Sequence, residues 1–168
     1  ILDSKEEAWT RLEDTAAEDL RIDIWWWDDS TSELMLLLAY LMKRSDEWSE
    51  AGIRVIAPGS ERTEEERHLV LEEARIEAEL LMIPNASLED MVKTSGGSSL
   101  VFLPFRMAGY RTLAPFDTEF KDLLPRLPVA ALVLAAEEDA YCRTNEEGRY
   151  GFATADSLAP GETYYVRF

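Results

Sequence analysis

Few residues of this chain are of the types and spacing that support catalysis. The only histidine, His68, stands between Arg67 and Leu69 in a helical pattern, and the only cysteine, Cys142, precedes Arg143. Neither has a nucleophile, a base or a metal ligand near it in the sequence, so we interpret His68 as a surface residue and Cys142 as an inert thiol. The GxSxG elbow and the HExxH zinc motif are both absent from the sequence. The prediction is a protein that is not an enzyme and has no catalytic residues.

Residues that bind phosphate or metal are equally scarce. The chain has no GxxxxGKS/T loop, and its Gly-rich cluster, Ser95–Ser99, precedes a predicted strand and is typical of a connection. Acidic residues open the predicted helices, at Asp28, Asp29 and Glu64–Glu66, where they complement the helix dipole and repel phosphate. Two acids without further oxygen ligands are typical of caps and solvated charge, not of a divalent-cation site. We therefore expect no nucleotide, cofactor or metal.

These residues are positioned by a predicted strand and the helix that follows it. The strand, Ile22–Trp27, is β-branched and aromatic, which indicates burial on both faces, so its three tryptophans are interpreted as core and not as a stacking surface. Ser30 and Glu33 have the spacing of a capping box, so a helix is expected to start near Thr31. The helix carries no charge over Leu34–Met42, and an apolar band of that width needs cover on more than one side.

The rest of the chain alternates between strand and helix patterns. Further strands are predicted at Ile53–Ala57, Leu80–Ile83, Leu100–Phe105 and Val129–Leu134. Further helices are predicted at Ser4–Leu20, Thr63–Glu79, Ser87–Val92 and Phe116–Leu124. This alternation indicates an α/β fold with three layers and a doubly wound, mostly parallel five-stranded sheet. Counting the strands along the chain, we expect the order 3-2-1-4-5, with the first strand central.

The chain divides into three segments. Residues 1–20 are expected to form an N-terminal helix or linker, and residues 21–138 the α/β domain. Residues 139–168 form a tail in which Thr163–Phe168 has a strand pattern. The tail is interpreted as an added edge strand, a hairpin, or the lead into a further segment.

Composition limits the partners. The 168 residues include 34 acidic and 17 basic side chains, a net charge of −17, which repels nucleic acid and anionic lipid head groups. We expect neither nucleic-acid binding nor direct lipid binding. The single cysteine excludes an internal disulfide. Because the chain begins Ile1-Leu2 without methionine, we expect either a fragment of something longer or a processed chain, and we expect the fragment itself to be soluble.

Several stretches resemble a known family. Asp23–Trp26, an apolar helix ending near Trp48, and Ile53–Val55 resemble the cytosolic C-terminal domain of the cation-chloride cotransporters. Leu127-Pro128 followed by Leu132–Leu134 resembles the last strand of that domain. The paired tryptophans after an aspartate are the most specific part of this similarity.

The resemblance covers about Arg21 to Glu138. The chain departs from the family at Trp27, which is a third tryptophan, and at Asp29 and Ser30, where the family tends to carry glycines. The similarity implies a universal-stress-protein-like fold and a regulatory domain without catalytic activity, on the cytoplasmic face of the cell membrane. Its implied partners are the amino-acid-permease-like membrane domain of a parent transporter and a second copy of the domain.

A homodimer is also suggested by the residues themselves. The apolar band over Leu34–Met42, in the helix that follows the central strand, is wider than a single domain covers. This leaves Leu37, Tyr40 and Leu41 as candidate interface residues. The alternative is a monomer in which the N-terminal helix predicted over Ser4–Leu20 and the C-terminal tail cover this surface. Two other functions stay open: a stand-alone nucleotide sensor of the universal-stress type, and a small α/β hydrolase or transferase.

Overall fold

The computed structural model describes residues 2–3, 6–59, 63–108, 111–135, 142–144 and 150–152. The strands in this part of the chain are β1 (Leu2–Asp3), β2 (Arg21–Trp25), β3 (Gly52–Ala57), β4 (Glu79–Met82), β5 (Leu100–Pro104), β6 (Arg106–Ala108), β7 (Arg111–Leu113), β8 (Val129–Val133), β9 (Cys142–Thr144) and β10 (Tyr150–Phe152). The helices are α1 (Glu6–Glu13), α2 (Ser30–Met42), α3 (Glu64–Ala74), α4 (Leu88–Ser95) and α5 (Phe120–Leu123). Short 3₁₀ turns occur at Ala17–Asp19, Pro115–Asp117 and Leu124–Arg126.

The main sheet has six strands in the order β1-β8-β5-β2-β3-β4. All neighbouring strands from β8 to β4 pair in parallel, and β1 pairs with β8 in the antiparallel direction. The five parallel strands are the five predicted ones, and their order 3-2-1-4-5 is confirmed. The edge strand β1 was not predicted, because two residues give no recognisable alternation.

Strand β2 is central because its side chains are buried on both faces. Ile22, Ile24 and Trp26 enter one apolar cluster, whereas Trp25 enters the cluster on the opposite face. Residues 22–25 of the strand are fully buried and Trp26, which follows it, is 3% exposed, which confirms the prediction of a buried strand. The strand ends at Trp25, two residues earlier than predicted.

Helices cover both faces of the sheet and complete three layers. Met35, Leu36 and Ala39 of α2 pack on one face together with Leu71 of α3. Met91 of α4 packs on the other face, together with α5. We call these the α2 face and the α4 face. Helix α1 also lies on the α2 face, beside β8.

The helix ends agree with local capping signals in some places and not in others. The capping box of Thr63 and Glu66 is present at the start of α3, as predicted. Helix α3 ends at Ala74, five residues before the predicted end, because Arg75 adopts a left-handed conformation (φ 55°, ψ 39°) and Glu79 begins β4. The prediction of a single N-terminal helix over Ser4–Leu20 was wrong, since α1 is followed by a separate 3₁₀ turn.

Within the described residues, two pairs of short antiparallel strands lie outside the main sheet. Strands β6 and β7 form an antiparallel pair after β5, where no strand was predicted. Strands β9 and β10 form a second antiparallel pair within the tail. The predicted strand over Thr163–Phe168 lies outside the described residues. The predicted helix over Phe116–Leu124 is instead a 3₁₀ turn, the single helical turn α5 and a second 3₁₀ turn.

Candidate functional site

A cleft of about 410 Å³ opens at the carboxyl ends of β2 and β5. The chain adds β3 and β4 on one side of β2 and adds β5 and β8 on the other, so the winding direction reverses between β2 and β5. Open α/β sheets place their ligands at this reversal. We call it the switch-point cleft. It is lined by Trp27, Asp29, Thr31, Pro104, Phe105, Arg106, Leu113, Ala114, Pro115, Phe116, Asp117 and Leu134.

A tight turn after β2 separates the two aspartates beside the cleft. The backbone N–H of Trp26 donates to the carbonyl of Ile56 (2.8 Å), and the N–H of Trp27 donates to the hydroxyl of Ser32 (2.9 Å). Asp28 then adopts a left-handed conformation with φ 61°, which aspartate tolerates better than most residues. This left-handed turn directs the Asp28 side chain toward α3 and leaves Asp29 at the start of α2.

Asp28 forms a buried ion pair with Arg67 of α3. Arg67 is 3% exposed and donates to both carboxylate oxygens of Asp28, from Nε at 3.2 Å and from a terminal nitrogen. The indole N–H of Trp26 also donates to Asp28, at 2.6 Å. Asp28 is therefore neither a helix cap nor a solvated charge, which corrects the interpretation from sequence. Its carboxylate fastens α3 to the end of β2.

Asp29 caps α2 in place of the predicted Ser30. Its Oδ1 accepts from the backbone N–H of Ser32 (2.7 Å) and from the Ser32 hydroxyl (2.6 Å). The predicted capping box of Ser30 and Glu33 was wrong, because the helix begins one residue earlier, at Ser30, and the Asp29 carboxylate before it accepts from the first helical turn. A phosphate at this helix start would meet a carboxylate. Among the described residues, no group of three His, Cys, Asp or Glu side chains is arranged to hold a metal.

Aromatic side chains form one wall of the cleft. The ring centroids of Trp27 and Phe116 are 6.0 Å apart with planes inclined at 63°. Trp25 lies beneath them, 6.2 Å from Trp27 and 6.4 Å from Phe116, and is fully buried. Phe116 is 37% exposed. This wall is therefore anchored in the core and open to the cleft.

The turn that carries Phe116 is conformationally unusual. Phe116 and Asp117 are consecutive residues with left-handed backbones, at φ 61° and 56°. Non-glycine residues rarely adopt this region, and such outliers concentrate at functional sites. The Ala114 N–H donates to the Thr118 carbonyl across the turn (2.9 Å), and Arg106 of β6 forms an ion pair with Asp117. The backbone hydrogen bond between Ala114 and Thr118 therefore closes the turn that presents Phe116 to the cleft.

A buried polar network lies deeper in the α4 face. The carboxylate of Asp23 is fully buried and accepts from Arg54 at Nε (3.0 Å) and at a terminal nitrogen (2.7 Å). It also accepts from the Ser98 hydroxyl, at 2.5 Å. The Ser95 hydroxyl accepts from the indole N–H of Trp25, at 3.0 Å. The Gly-rich cluster does connect α4 to β5, but two of its serines also satisfy buried polar groups, which was not predicted from the sequence. An aspartate inside an apolar strand was the available signal, since such a group needs partners.

A second depression, of about 720 Å³, lies on the α2 face between α2 and the strands β5 and β8. We call it the α2 groove. It is lined by Leu38, Leu41, Met42, Ser45, Glu47, Trp48, Leu100, Phe102, Ala131, Leu132, Val133 and Leu134. Of the three candidate interface residues, Leu37 and Leu41 are 49% and 51% exposed, and Tyr40 is partly buried.

Two candidates from the sequence remain, and the one with a described side chain, His68, lines neither depression. The His68 side chain is 51% exposed and lies 3.9 Å from the carboxylate of Glu64 one turn earlier, which confirms a surface histidine. Cys142 belongs to β9, and its side chain lies outside the described part of the chain.

No protein-family model matches the chain, and no curated protein matches it. Within the described residues, none of the helices combines the length and the apolar character that a membrane crossing requires.

Proposed function

We propose that this chain is a regulatory domain without catalytic activity that forms a homodimer through α2. We further propose that it belongs to a membrane transporter similar to the cation-chloride cotransporters, on the cytoplasmic face of the membrane. The observation that carries the proposal is the exposure of Leu37 and Leu41 beside the apolar α2 groove. The sheet order is also the one expected for a universal-stress-like fold, which the resemblance to the cotransporters implies.

The exposed leucines are continuous with the apolar floor of the α2 groove. Leu41 lines the groove, and Leu37 precedes it by one helical turn on α2. Leu134, at the opposite edge, is 46% exposed. Contiguous exposed apolar surface of this kind marks interaction sites. A second copy would cover it through a two-fold axis, since the same patch would then face itself.

The distribution of charge is compatible with this contact despite the net charge of −17. The helix has no charged side chain over Leu34–Met42, and Glu33 and Lys43 flank this stretch with opposite signs. Glu47 is the one acidic residue among the described residues that line the groove, and repulsion between copies is weakest where the uncharged stretch of α2 would meet α2.

Nucleotide sensing is less well supported, because of the residues that follow β2. Asp29 already accepts from the first turn of α2, and Asp28 is paired with Arg67. Both carboxylates stand where a nucleotide phosphate would need donors. We expect calorimetry with millimolar ATP to detect no binding. Micromolar affinity for ATP would favour the nucleotide-sensor alternative instead.

The dimer is tested by paired leucine substitutions. Leu41→Glu places a charge in the proposed contact, so we expect this variant to be monomeric by light scattering at a concentration where the unmodified chain is dimeric. Leu69→Glu is the matched control, because Leu69 is similarly exposed (56%) but lies on α3. Equal masses for the two variants would contradict the proposed surface.

The proposed link to a transporter is tested by the coding sequence that lies upstream of this chain in its gene. We expect the sequence upstream of this chain to encode about ten to twelve apolar stretches of ~20 residues, the length that a membrane-spanning helix needs. A coding sequence without such stretches would remove the transporter from the proposal and leave the dimer to be judged separately.

A further inference from the structure

We propose that the switch-point cleft binds a small organic cation with an apolar or aromatic body, such as a substituted ammonium. The cleft volume of about 410 Å³ falls within the range of small-molecule sites, which are mostly apolar with a few polar groups. This site adjoins the proposed dimer surface at Leu134, which lines both depressions, but the aromatic wall and the charged residues of the cleft are not part of the α2 groove.

The aromatic wall supplies the first reason for a cation. Trp27 and Phe116 both line the cleft and are both partly exposed. The two rings pack on each other edge to face, with centroids 6.0 Å apart and planes inclined at 63°. The negative face of an aromatic ring attracts a cation, tryptophan most strongly, and sites for quaternary ammonium groups use this attraction.

The charges of the lining supply the second reason. Among the described residues that line the cleft, the charged ones are Asp29, Arg106 and Asp117. Arg106 and Asp117 form an ion pair with each other, which leaves the carboxylate of Asp29 as the excess charge. The start of α2 would otherwise attract an anion, but Asp29 occupies that position as the helix cap. The cleft therefore favours a positive ligand over a negative one.

The apolar part of the ligand also has a defined surface. Phe105, Leu113 and Leu134 line the cleft in addition to the tryptophan and phenylalanine of the wall. The wall itself is held in place before any ligand arrives, because Phe116 packs on the fully buried Trp25. A preformed site loses less conformational freedom on binding.

The test is calorimetry on the full chain with three probes of similar body. Benzyltrimethylammonium is the cation, benzyl alcohol the neutral probe and benzenesulfonate the anion. We expect saturable binding of the cation at least tenfold tighter than that of the alcohol, and no binding of the sulfonate. Binding of the alcohol as tight as that of the cation, or preferred binding of the sulfonate, would overturn the proposal. So would the absence of saturable cation binding.

Substitutions locate the site. Phe116→Leu removes a ring and keeps an apolar side chain, and Asp29→Asn removes the charge and keeps a good helix cap, so each should weaken cation binding several-fold. Trp9→Leu is the aromatic control, because Trp9 is 38% exposed and lies on α1. Unchanged affinity in the Phe116 and Asp29 variants, or an equal loss in the Trp9 variant, would place the cation elsewhere.

One variant should bind more tightly. Arg106→Gln removes the positive charge from the cleft at a side chain that is 63% exposed, so the fold should tolerate the change and the affinity for benzyltrimethylammonium should rise several-fold. A gain cannot arise from partial unfolding. Weaker binding by this variant would contradict the charge argument. The Leu41→Glu variant should bind the cation as the unmodified chain does, whatever its oligomeric state.

Discussion

Arg67 carries a positive charge at a position that is only 3% exposed. Its charge is balanced by Asp28, whose side chain is 8% exposed, and the two residues are 39 positions apart in the sequence. A buried ion pair adds little net stability compared with apolar residues, but losing one partner leaves an uncompensated buried charge. The pair is therefore expected to be far more sensitive to a single substitution than to a double one.

We expect Arg67→Met to lower the free energy of unfolding by about 3–5 kcal/mol, because it leaves the buried carboxylate of Asp28 without its positively charged partner. The double variant Arg67→Met with Asp28→Asn should recover much of that loss, since no buried charge remains unpaired. Urea unfolding measures both. The control is Arg126→Met, which breaks an ion pair with Glu89 at the surface and should change stability little. A single Arg67 variant as stable as the unmodified chain would show that Asp28 is not dependent on this partner.

The pair of Arg67 and Asp28 also shows which residue contacts could not be predicted from the sequence. Nothing local marks Asp28 as the partner of Arg67, or Ser98 as a partner of Asp23 across 75 positions. Both contacts form only after the strands and helices have been placed by the fold. A capping box, by contrast, lies within four residues, which is why the one at the start of α3 could be predicted.

At the scale of secondary-structure elements, continuous runs of apolar residues predicted the buried strands reliably. The parallel strands are continuous apolar or β-branched stretches, and their order followed from the central position of β2. The hairpin of β6 and β7 was missed because strands of three residues are too short to show a period. The cleft was missed for the same reason, since its wall includes the turn that follows this hairpin.

Helix α4 gives a prediction on acid stability. The capping box at its start lowers the pKa of Asp90 below the ordinary value, chiefly through the hydrogen bond from the Ser87 hydroxyl and next through the Ser87 backbone N–H. Because the folded pKa is below the unfolded one, the ionised carboxylate stabilises the fold at pH values above about 3.9, and this contribution is lost as the pH falls through the folded pKa.

We therefore expect Asp90→Asn to reduce the dependence of stability on pH in the acid range. Urea unfolding at pH 3, 4, 5 and 7 measures this dependence. Ser87→Ala should act in the same direction, because it removes the donor of the principal hydrogen bond. An Asp90→Asn variant that loses stability between pH 5 and pH 3 as steeply as the unmodified chain would contradict the assignment.

At the scale of the whole molecule, two opposing contributions to the free energy of dimerisation decide whether the chain self-associates. The α2 groove offers apolar surface, and a specific interface needs roughly 800 Å² from each partner. The net charge of −17 opposes any contact between copies. Salt screens this long-range repulsion, with a Debye length of about 8 Å at physiological ionic strength, and leaves the apolar term in place. Association should therefore strengthen as salt is added.

Sedimentation equilibrium of the unmodified chain at physiological salt tests the central claim most directly. The chain has a mass of 19.1 kDa, and we predict that the apparent mass approaches twice this value as the concentration rises to about 100 μM, well above the micromolar dissociation constants of modest interfaces. A mass that stays at 19.1 kDa over the whole range would contradict the account of α2 as a dimer surface.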